Sequence, residues 1–188
     1  MDDIVKAALI KWPNVPNCFG WLGLDARGNW YMRDDLAQAA GPFSGGPVLD
    51  HARHTAAKGS VLKHDKLIDF IQRNYEADAS GQWFFQNGPQ RVYVELEATP
   101  FIWRVSAGND AGVFAHSGQA VVFEQCLLDE QGHLYLKTDL GFGLVHTLDM
   151  LAAADNIEQG RWVPQEVSSV DLPRCYSFVK SPQALQLK

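Results

Sequence analysis

The chain has 188 residues, 46% of them apolar and 20% charged, with a formal net charge of −6. That length suits one large domain or two small ones, and a chain of this size buries roughly 70% of its unfolded surface, so it needs no covalent staples. The acidic balance, with no Lys/Arg run, argues against a phosphate-backbone footprint, so no nucleic-acid partner is expected.

In chain order, residues 2–11, "DDIVKAALIK", read as a short helix capped by Asp2 or Asp3, with Ile4, Ala7, Ala8 and Leu9 as its apolar stripe. Two prolines in "WPNVPN" end it. The acidic N-terminus is unlike a secretory leader, and no apolar run approaches the ~20 residues of a membrane span, so no membrane partner is expected. Residues 18–24 and 29–33 read as two strands joined by a turn. Between Asp34 and Gly59, glycine, proline and serine dissolve the pattern, and a long loop over residues 35–60 is expected. Residues 63–75 form the clearest helix, with Leu62, Leu67, Phe70 and Ile71 on one face and an Asp69–Arg73 pair on the other.

"QRVYVELEA" and "PFIWRVSA" alternate as half-buried strands do, with Val92, Val94 and Leu96 facing one way and Tyr93, Glu95 and Glu97 the other. Residues 118–139 read as a further hairpin, and residues 147–157 as a helix or a strand and turn. "RWVPQEV" and "RCYSFVKSP" read as short strands, with Ser181-Pro182 closing the folded part. Three isolated cysteines, Cys18, Cys126 and Cys175, form neither a disulfide framework nor a zinc ribbon, which fits a reducing cytoplasm.

One phrase recurs: "DARGNW" at residues 25–30, "DASGQW" at 78–83 and a weakened "DEQGHL" at 129–134. Aspartate opening a type I turn accepts from backbone two residues on, and glycine at the fourth position takes the positive φ of a bulged hairpin. The phrase is therefore a turn instruction. Its near-constant spacing of about fifty residues suggests an internally duplicated unit.

"GWLGLDARGNWYMRD", "LIDFIQRNYEADASGQWFF" and "VYVELEATPFIWRV" together resemble a family of uncharacterised bacterial proteins, a domain of unknown function. In that family an Asp-Gly-x-Trp strand, a short helix, a second Gly-aromatic turn and a Val-Glu-x-x-Pro-Phe strand follow in this order. The resemblance covers residues 20–105, with residues 35–60 as an insertion. It implies an α+β fold of repeated helix-plus-strand units and carries over no catalytic residue.

The expected fold is thus α+β, with curved antiparallel sheets built from repeated helix/β-hairpin units. The expected halves are residues 1–76 and 77–188, packed as one globular unit. No P-loop, G-x-G-x-x-G or G-x-S-x-G motif is present. His51 and His54, with Asp50 or His64, could hold a divalent metal such as zinc if residues 49–57 were helical; otherwise they are solvated loop histidines, and no cofactor is needed. Glu95 and Glu97, about 7 Å apart on one strand face, suit an acid/base pair in a cleft, or the wet face of a strand. A small-ligand site would draw on Trp103, Arg104, Tyr93, Glu95 and His146, with Arg104 on the neighbouring strand.

The leading functional expectation is a non-enzymatic cytoplasmic module that binds a small molecule or a protein partner for a regulatory purpose. The alternative is a metal-dependent, hydrolase-like enzyme using the His51/His54 segment. A third reading is a subunit that docks through a sheet edge, onto another protein or onto a second copy as a homodimer.

Overall fold

The computed structural model describes residues 1–45, 51–108 and 112–186, and these divide into two compact units. The first comprises Met1–Asp25, Asn29–Glu97 and the C-terminal stretch from Phe178; the second comprises Ala26–Gly28 and Ala98–Ser177. The expected boundary at residues 76/77 falls inside a strand.

The first unit holds α1 (Asp3–Lys11), β1 (Cys18–Leu24), β2 (Trp30–Met32), α2 (Asp35–Ala40), α3 (His51–Lys58), β3 (Ser60–Val61), α4 (Asp65–Arg73), β4 (Tyr75–Ala77), β5 (Trp83–Asn87) and β6 (Gln90–Leu96). The second holds β7 (Phe101–Val105), β8 (Val113–Ala115), β9 (Ala120–Val121), β10 (Phe123–Asp129), β11 (Leu134–Thr138) and β12 (Phe142–Val145), then α5 (Met150–Glu158), β13 (Pro164–Val167) and α6 (Leu172–Cys175). The chain then returns to the first unit with α7 (Pro182–Gln186).

The α+β class holds, but the sheets are mixed. The first sheet runs β3-β2-β1-β6-β5-β4 and the second β13-β10-β11-β12-β7-β8-β9. β1 lies parallel to β6, β12 to β7 and β10 to β13. Parallel neighbours need long crossovers, which no hairpin signal announces. Read from β3 to β4 and from β9 to β10, the two sheets have the same strand order and the same strand senses: an antiparallel triplet, a central parallel pair, and a second antiparallel triplet. What recurs is the order of a six-stranded sheet, not a helix-and-hairpin unit of about fifty residues. The Asp78 and Asp129 turns close corresponding hairpins, β4–β5 and β10–β11, whereas the Asp25 turn closes β1–β2.

The three turns share one geometry. Asp25, Asp78 and Asp129 each donate their backbone N–H to the carbonyl four residues on, at 3.0, 2.9 and 3.1 Å. Each carboxylate accepts the N–H of that same residue, at 2.8, 3.0 and 2.8 Å. Gly28, Gly81 and Gly132 sit at φ +83°, +76° and +81°, a region other residues resist. A fourth turn, Ala115 to Gln119, has the same backbone bond and a Gly118 at φ +82° with no aspartate.

Several local expectations are corrected. In α1 the buried residue is Val5, while Ile4 is exposed, and Asp2 makes no side-chain cap but accepts from Arg73 and Asn74. Arg73 thus pairs with Asp2. The expected loop 35–60 contains α2 and α3 and the start of β3. Asp34 caps α2 by accepting from Ala37 N–H at 2.8 Å. Residues 172–175 are helical, and Ser181 does not end the fold but accepts the Ala184 N–H at the start of α7.

The first unit has a polar centre. Arg33 is fully buried, and its guanidinium donates to the carbonyls of Ala57 (2.8 Å), Gly20 (3.0 Å) and Gly41 (2.6 Å). Glu95, expected on a wet face, is 2% exposed; it accepts from Ser181 Oγ and, at 2.9 Å, from Gln183 N–H. Gln183 also bridges to Gln38 at 2.8 Å. Gly20 is required here: its φ is +79°, and a Cβ would lie 2.4 Å from Gln183 Nε2.

Candidate functional site

The residues singled out from sequence are mostly committed to the fold. Asp50 lies outside the described residues. His51 is exposed on α3, and His54 faces Glu97 with 3.8 Å between Nε2 and Oε1, where Lys58 Nζ already stands at 2.7 Å. His64 caps α4, its Nδ1 accepting from Leu67 N–H at 3.3 Å. Among the described residues no group of three or more His, Cys, Asp and Glu side chains is arranged to hold a metal ion.

Tyr93 and Glu95 belong to the first unit, and Trp103, Arg104 and His146 to the second. Tyr93 stacks on Phe19 and donates to Asp78 Oδ2 at 3.1 Å. Trp103 is fully buried, its indole N–H on the Leu136 carbonyl at 2.9 Å. β7, which carries Arg104, pairs with β8 and β12, not with β6 as expected. Arg104 forks onto Asp149 at 2.6 and 3.1 Å, which holds the Asp149 carboxyl below its ordinary range. His146 Nδ1 accepts from Leu148 N–H at 3.0 Å.

A better-formed site lies elsewhere in the first unit, between α4 and the sheet. The strand pairing sets Leu22 opposite Met32, and Val92 opposite both Cys18 and Phe85. α4 lays Leu67 and Ile71 over them, with Leu62 held by its N–H on the Trp30 carbonyl at 2.8 Å. The two layers leave a cavity of about 230 Å³, with Trp21, Cys18 and Asn87 completing its wall. Trp21 is 42% exposed and Met32 50%, while Trp30, Trp103 and Trp162 are core. None of the ten lining residues is charged.

A larger hollow of about 510 Å³ in the second unit is lined by Leu128, Asp129, Glu130, Glu166, Val167 and Ser168. Two of its three carboxylates serve the fold: Asp129 holds its own turn, and Glu130 accepts from Ser169 N–H and Oγ.

Burial raises the Cys18 thiol, and it raises the Cys126 thiol to about 11, so both stay protonated near neutral pH. Neither is a poised nucleophile. Cys175 is exposed. Mass-resolved labelling with N-ethylmaleimide is expected to modify Cys175 first, Cys18 at least about tenfold more slowly, and Cys126 only on unfolding. Rapid labelling of Cys126 in the native protein would contradict this.

A family model described as "Protein of unknown function (DUF2946)", labelled DUF2944, matches residues 1–183. The chain belongs to this family. An uncharacterised family of the kind read from residues 20–105 thus spans nearly the whole chain. No curated protein matches. Among solved structures, the crystal structure of a DUF1285 family protein from Silicibacter pomeroyi DSS-3 is similar, with a TM-score of 0.44 and 11% identity over 82% of this chain and 84% of that one. Among the described residues no helix is long and apolar enough to cross a membrane.

Proposed function

We propose that the protein is a non-enzymatic binding module that holds a small molecule in the pocket under α4. The observation that carries this reading is the cavity itself. An apolar face of α4 and an apolar sheet face lie opposite one another without filling the space between them, and a tryptophan and a methionine stand partly in solvent at that site. Interiors are packed with few voids larger than a water molecule, so an apolar pocket left between two packed layers is a candidate ligand site. The wall offers no acid, base or activated nucleophile, which favours binding over chemistry.

The test uses naphthalene-2-carboxamide as probe, followed by calorimetry. Saturable one-to-one binding is expected, weakened at least about tenfold in Val92→Phe, which fills the cavity with little change in stability. Unaltered binding by that variant would exclude this pocket as the site.

A further inference from the structure

Taking the pocket as the binding site, we infer that its ligand is an uncharged aromatic molecule of one or two rings carrying a single hydrogen-bonding group. Three features of the wall lead there. The volume, about 230 Å³, lies below the ~300 Å³ at which drug-sized sites begin, which favours a small ligand over a nucleotide or a peptide segment. No charged side chain lines it, so a carboxylate or ammonium moved against this wall gives up hydration and meets no opposite charge. Trp21, Phe85 and Met32 line it with two aromatic side chains and a polarisable thioether, surroundings that favour an aromatic ring over a flexible alkyl chain.

The polar group is fixed by Asn87, the one amide in the wall. A carboxamide both donates and accepts, so it serves a hydroxyl, carbonyl or amide equally. Cys18 is a thiol at the same wall, and it reports occupancy without reacting with the ligand.

Three matched probes decide the matter: naphthalene, naphthalene-2-carboxamide and naphthalene-2-carboxylate. Affinity is read by calorimetry, and the location by protection of Cys18 from N-ethylmaleimide. The amide is expected to bind about tenfold more tightly than naphthalene and at least about 100-fold more tightly than the carboxylate. Asn87→Leu is expected to erase the preference for the amide, bringing its affinity to that of naphthalene in the same variant. Carboxylate binding as tight as the amide's, or an amide preference that survives Asn87→Leu, would overturn the inference and leave the pocket standing. Binding by none of the three would remove the pocket as a site, and this inference with it.

Discussion

Arg33→Ala is expected to cost about 4 kcal/mol of stability, measured by urea unfolding near pH 7. The guanidinium is fully buried and serves three separate stretches of backbone: Gly20 on β1, Gly41 after α2 and Ala57 on α3. Longer contacts reach Ala37 O at 3.5 Å and Gln183 Oε1 at 3.4 Å. Each carbonyl left unpaired in the interior costs about 1–3 kcal/mol, partly offset because alanine carries no charge to desolvate. Burial opposes the charge on Arg33, and Glu95 supports it; removing the arginine therefore also leaves Glu95 buried without its positive neighbour. Arg33→Lys should recover less than half of the loss, because a point charge on a flexible stem cannot fork onto three carbonyls. The double variant Arg33→Met, Glu95→Gln should cost at least about 1 kcal/mol less than the two single changes together. A loss below about 1 kcal/mol for Arg33→Ala, or additivity in the double variant, would mean that this polar centre is not what ties α2, α3 and α7 to the sheet.

The features legible in the sequence are those whose causes are local. The Asp-x-x-Gly turns are set within five residues by one carboxylate and one positive φ. The faces of α4 and β6 follow from spacing alone. Arg33 and Glu95 show the opposite case. Nothing near Glu95 marks it as buried, because its partner Ser181 stands 86 positions away, and Gln183 lies 150 positions from Arg33. Alternation within β6 could not say that the C-terminal stretch covers Glu95, so that residues 93–96 are all buried. The parallel pairs β1/β6 and β7/β12 are equally non-local, so hairpin signals alone implied antiparallel sheets. α3 was hidden by the glycines and prolines that precede it. The candidate pocket was legible only in its parts. Leu67, Ile71 and Val92 read as apolar faces, yet a pattern does not reveal where two apolar faces fail to close on each other.

Asp129→Ala is expected to cost about 3 kcal/mol. The cost lies in the partners. The Asp129 side chain is wholly buried and accepts from Gln131 N–H (2.9 Å), His133 N–H (2.8 Å) and Tyr135 OH (2.9 Å), with the His133 ring at 3.1 Å. The turn itself should survive, since Ala115 opens one of the same shape; what is lost is the satisfaction of buried donors, above all the Tyr135 hydroxyl. Asp129→Asn keeps one acceptor oxygen and should cost about 1 kcal/mol. Burial works to raise the Asp129 carboxyl, but its donors outweigh burial and hold it below 3.8. A carboxyl lowered by folding contributes stability above its unfolded value and loses it as the pH falls through the folded one. The gap between wild type and Asp129→Ala should therefore be full near pH 6 and shrink below about pH 4. Glu95 has the opposite sign: burial leads, its carboxyl is raised, and its ionisation opposes folding as the pH climbs through the folded value. Urea midpoints followed from about pH 7 to pH 3 separate the two. A gap between wild type and Asp129→Ala that does not narrow on acidification would show that the carboxylate charge does not hold this hairpin.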